Sequence, residues 1–94
     1  MYDKNGKILQ VGDYVKVTKR QIDFLNTSRV AIVKYVDKIY TTILFYNHGL
    51  PMPCVLKSST LTLIDEKDID DNKKILFSKI SEKFDMMSEE LRLI

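Results

Sequence analysis

Arg29-Val30-Ala31-Ile32-Val33-Lys34-Tyr35-Val36 and Tyr40-Thr41-Thr42-Ile43-Leu44-Phe45-Tyr46, joined across Asp37-Lys38, decide the fold of this chain. Both runs are dominated by β-branched and aromatic side chains, which suit a pleated, half-buried surface. The link is short enough to force a direct reversal, so the two runs predict a hairpin. Upstream, Gly12-Asp13 leads into Tyr14-Val15-Lys16-Val17-Thr18, where apolar and polar residues partly alternate. Nearer the start, Asp3-Lys4-Asn5-Gly6-Lys7 holds an Asn-Gly pair, whose tolerance of positive φ suits a tight turn. Lys19 to Ser28 has no clear period and reads as a long loop. Downstream, Asn47-His48-Gly49-Leu50-Pro51 reads as a turn, followed by strands at Cys54-Val55-Leu56 and Leu61-Thr62-Leu63-Ile64. Five short strands are too few for a sandwich, and a flat sheet would leave two open edges. A small, strongly bent barrel closed on itself is the expected solution.

The chain changes character at Leu63-Ile64-Asp65-Glu66. Every Gly and Pro lies before residue 54. Residues 1–64 carry nine basic and four acidic side chains, a balance of +5, whereas residues 65–94 carry six and nine, a balance of −3. Phe77, Ile80, Phe84, Met87, Leu91 and Ile94 follow a 3-4-3-4-3 spacing that sets them on one face of a helix. Leu76, Met86 and Leu93 widen that apolar surface beyond a coiled-coil seam. Asp65, Glu66, Asp68, Asp70 and Asp71 precede Lys73-Lys74, an order that places carboxylates at the positive end of the helix dipole. The helix starts between Glu66 and the residue after Asp71, and Ser88-Glu89-Glu90 is a candidate cap for a separate last turn. The expected class is therefore mainly β with a C-terminal helix: a five-stranded barrel over residues 1–64 and an amphipathic helix over 65–94, packed on the barrel or on a partner chain.

With 94 residues, 45% hydrophobic and 30% charged, the composition is that of one small globular domain. The apolar run Ile43 to Tyr46 is far shorter than the ~20 residues of a membrane helix, and Met1-Tyr2-Asp3-Lys4-Asn5-Gly6 lacks the apolar core of a leader, so no membrane is expected. Cys54 is the only cysteine, which excludes an internal disulfide and fits a reducing, cytoplasmic setting. No cofactor is implied.

Gly12-Asp13-Tyr14-Val15-Lys16-Val17, then Arg29-Val30-Ala31-Ile32-Val33, then Leu61-Thr62-Leu63-Ile64 resembles the SH3-like small barrels, in which a G-D-x-V-x-V strand opens the barrel, a long loop follows, and an x-L-x-L-I strand closes it. The opening Asp3-Lys4-Asn5-Gly6-Lys7-Ile8 also resembles small barrel proteins of bacteriophages and mobile elements. Within the group, peptide-binding domains use a Trp that this chain lacks, and ribosomal and transcription-elongation barrels carry loop glycines, whereas none occurs here between Gly12 and Gly49. Tudor-like members hold methylated cations in an aromatic cage, for which Tyr14, Tyr35, Tyr40 and Tyr46 are the available rings.

Catalysis finds little material. His48 is the only histidine and sits among turn residues, and Cys54, six positions on, lies between Pro53 and Val55 as a small core residue would. The acidic run lacks the Gly and terminal Glu of a calcium loop. The expectation is a non-catalytic interaction protein, of the kind that modulates a larger host or viral assembly. Phe77, Ile80, Phe84, Met87, Leu91 and Ile94 are its anchor, Phe24-Leu25 a second contact, and a foreign protein or a second copy the partner. Burying each large stripe residue contributes about 1.5–3 kcal/mol, too much to leave in water. The alternative is a nucleic-acid-binding barrel using Lys16, Lys19, Arg20, Lys34 and Lys57, on a basic face that Arg29 and Lys38 extend.

Overall fold

A computed structural model describes residues 2–17 and 29–93, with side chains through residue 88, Arg29 excepted. Phe24-Leu25, Lys19, Arg20 and Ile94 fall outside these residues, as does the side chain of Leu91. Five antiparallel strands, β1 (Tyr14–Val17), β2 (Arg29–Val36), β3 (Tyr40–Asn47), β4 (Leu50–Lys57) and β5 (Thr62–Ile64), pair in the order β4-β3-β2-β1-β5, and helix α1 (Asp71–Leu93) follows. The protein is thus mainly sheet with one C-terminal helix. The β2–β3 hairpin stands where its β-branched runs place it. The next turn is tighter than expected: Leu50 to Pro53 belong to β4, leaving only His48 and Gly49 at the reversal, at φ 50° and 82°. Two consecutive positive φ values are what a two-residue hairpin of type I′ requires.

The sheet builds a core on each face. Val15, Val17, Ala31, Val33, Ile43 and Phe45 point inward with Leu9 and Leu61, and Met52, Cys54, Leu56 and Leu63 of the two edge strands pack on the same cluster. In a flat sheet the outer strands would lie about 19 Å apart. Side chains from both can share one cluster because the sheet curls around it. Ile32 and Leu44, on the alternate positions, point the other way and meet Phe77 and Ile80 of α1, with Tyr14, Val30, Tyr46 and Phe84 around them.

The sheet bends but does not close, so the expected barrel is open. Both edges are blocked. Along β5, the backbone N–H of Leu63 donates to Asp3 Oδ2 (2.9 Å) and that of Lys4 to the Leu61 carbonyl (2.7 Å), so the N-terminal segment occupies the place of a closing strand. On β4, the pairing of Asn47 with Leu50 at the turn directs the odd-numbered positions outward, where Pro51 and Pro53 have no N–H to offer.

α1 is one continuous helix through Leu93, so Ser88 does not begin a separate turn. Asp65 caps a 3₁₀ turn at Glu66–Asp68 by accepting from the Lys67 N–H. Asp70 accepts from the Asn72 N–H (3.2 Å) just ahead of α1, a helix-capping contact.

Candidate functional site

The apolar stripe of α1 divides in two. Phe77 and Ile80 are buried against the sheet, Phe84 is half-buried, and Met87 is 52% exposed. Polar contacts pin both flanks. On one, Lys34 Nζ donates to Ser81 Oγ (2.9 Å) and pairs with Asp85 Oδ2 (2.8 Å), while the Tyr14 ring meets Phe77 edge-on at 5.7 Å. On the other, Lys83 Nζ donates to the Gly49 carbonyl (3.1 Å), tying the helix to the β3–β4 turn.

Between that turn and the helix runs a groove of about 430 Å³. Tyr46, Gly49, Leu76, Ile80 and Met86 line it, and Lys79, Glu82 and Lys83 stand at its rim. Leu76 and Met86 remain 37% and 62% exposed. Beyond the Lys34 flank lies a second apolar surface. Tyr35, Thr42 and Val55 are direct cross-strand neighbours on the outer face, and Tyr40 opposite Lys57 forms the next row. Tyr35 leans on Phe84, with ring centroids 6.1 Å apart, so this patch is continuous with the helix stripe.

Of the anchor residues expected from the stripe, the structure gathers Phe77, Ile80 and Phe84 on the sheet and leaves Met87 beyond it. Of the basic set, Lys16, Lys34 and Lys57 are described, and these three do not converge. Lys34 is taken up by the helix, Lys16 sits opposite Val30 where β2 begins, and Lys57 lies past the other end of β2, opposite Tyr40. Nor do the tyrosines form a cage: Tyr14 packs on Phe77, Tyr35 on Phe84, and Tyr46 lines the groove. The sequence names Tyr35 as an available ring but not its side of the sheet, because a register shift between Val33 and Tyr35 breaks the strand alternation and turns Tyr35 to the helix side; nothing in the sequence sets Val55 apart from its neighbours on β4. Leu76 and Met86 carried a signal, as apolar residues beside the main stripe.

Cys54 faces the inner core from β4, while His48 stands in the turn. Burial pushes the Cys54 thiol above its ordinary value, which disfavours a thiolate. Among the described residues no group of three or more His, Cys, Asp or Glu is placed to hold a metal ion. A second cavity, about 370 Å³ beside Lys7, Asp13, Tyr14 and Glu66, is polar. Burial and the Glu66 charge raise Tyr14 there, and the Asp13 carboxylate already accepts from the Gln10 N–H (2.8 Å). No described helix is long and apolar enough to cross a membrane. Compared with protein families, curated proteins and solved structures, the chain matches none.

Proposed function

We propose that the chain is a non-catalytic protein-binding module that takes a partner's apolar segment into the groove between α1 and the β3–β4 turn. The observation that carries this is the pairing of an apolar floor, Ile80 and Tyr46, with exposed Leu76 and Met86 walls and a charged rim. A partner side chain seated on Ile80 would remove Leu76 and Met86 from water, and Lys79, Glu82 and Lys83 would set its orientation from the wet margin. The placement of β5 beside β1, with Gly12-Asp13 at the head of β1, supports assignment to the SH3-like small barrels. The sequence resemblance of Asp3–Ile8 is the ground for placing the chain with phage-type accessory proteins acting on a larger assembly, and the lone Cys54 suits a reducing cytoplasm as its setting.

A photo-crosslinking residue at position 86, in cells that produce the protein, tests the proposal. One adduct of fixed mass is expected there, lost when Leu76→Glu is added, and none from the same residue at position 10 on the far side. Absence of any adduct from position 86 overturns it.

A further inference from the structure

We infer that a second copy of this chain docks antiparallel along the outer face of α1, forming a two-fold dimer with the two helices back to back between the sheets. This rests on the protein-binding reading, whose groove shares Lys79, Glu82 and Met86, and it names the partner. Successive residues of a helix turn by about 100°, so Ile75, Lys79, Glu82 and Met86, spaced 4-3-4, form one stripe. That stripe lies opposite Phe77, Ile80 and Phe84, which pack on the sheet side. All four are exposed, Ile75 at 54% and Met86 at 62%. Among the described residues neither Lys79 nor Glu82 has an ion-pair partner. Alternating steps of three and four are the spacing by which two helices share a seam.

The order of the stripe selects its occupant. It reads apolar, basic, acidic, apolar, so that reversed it is its own complement. With a two-fold axis passing between residues 80 and 81, Ile75 meets the partner's Met86 and Lys79 meets the partner's Glu82, and each contact is made twice. A parallel copy would instead set Lys79 on Lys79 and Glu82 on Glu82, a juxtaposition of like charges that opposes association. A foreign segment suits this face only by repeating the same reversed order, which the chain already carries. Leu76, next to Ile75 and 37% exposed, flanks the seam and is drawn into it.

Sedimentation equilibrium of the full chain, from micromolar to millimolar and at low salt, tests this. The expected result is twice the chain mass at high concentration, falling to one on dilution. Lys79→Glu and Glu82→Lys should each weaken association about tenfold, with circular dichroism unchanged because both side chains are exposed. Mixing the two variants should restore it, since each then supplies the charge the other lacks, and the double variant should pair with itself. A single chain at every concentration, or a dimer indifferent to both substitutions, overturns the inference. A single chain that still crosslinks from position 86, to an adduct of some other mass, rejects the helix pair and leaves the groove proposal standing. A dimer weakened by Lys79→Glu yet indifferent to Leu76→Glu keeps the helix pair and rejects the groove.

Discussion

Asp3 is a buried carboxylate, 4% exposed, that accepts from three backbone N–H groups: Asn5 (2.9 Å), Lys7 (2.7 Å) and Leu63 (2.9 Å). Burial pushes this carboxyl up, but the Leu63, Lys7 and Asn5 donors and the Lys7 charge outweigh it and hold it below its ordinary 3.8. Its folded value lies below the unfolded one, so its contribution to stability is complete above about pH 4 and is lost as pH falls through the lowered value. Asp3→Asn should cost about 2 kcal/mol at neutral pH, lower Tm by about 10 °C, and flatten the acid limb of stability against pH. An unchanged acid limb in urea titrations would contradict this role. At the second hairpin, His48 holds a positive φ without being glycine. Asn accepts that backbone region more readily, so His48→Asn should raise Tm by a few degrees, whereas Gly49→Val should cost about 1–2 kcal/mol of stability and lower Tm, both read by thermal melting.

At the scale of elements, the helix is a layer of the core. Ile80 is 1% exposed between Ile32 and Leu44, and Ile80→Ala should cost about 2–5 kcal/mol in denaturant unfolding. Lys34→Met should cost under about 1 kcal/mol despite its two contacts with α1, because Asp85 is 53% exposed and its ion pair is screened. A loss as large as that of Ile80→Ala would show that the pinning contact, and not apolar burial, holds the helix down. Between β3 and the turn after β4, Thr41 Oγ1 and Ser58 Oγ share a fully buried hydrogen bond of 2.6 Å. Thr41→Val orphans the Ser58 hydroxyl and should cost about 1–3 kcal/mol, and Thr41→Val with Ser58→Ala should recover part of it.

For the molecule as a whole, a sheet with apolar residues on both faces has no stable solution without α1. A chain ending at residue 70 leaves Ile32 and Leu44 in water and should aggregate or lose its cooperative melt. In the full chain, far-ultraviolet dichroism and tyrosine fluorescence should unfold together, since helix and strands share one core. A helix signal that melts ahead of the sheet would separate the two layers.

The elements were legible from local chemistry: β-branched runs made the hairpin Arg29–Asn47, and the 3-4 spacing from Phe77 made the helix. Those signals depend on periods of two and 3.6, which a chain displays before it folds. Only the assembled structure decided that the sheet stays open, because Asp3 occupies the β5 edge from sixty residues away and Pro51 and Pro53 turn their missing donors outward on β4. Which part of the stripe is core and which is surface was likewise set in three dimensions. Phe77 and Met87 look alike in sequence, and the reach of the sheet beneath them separates them.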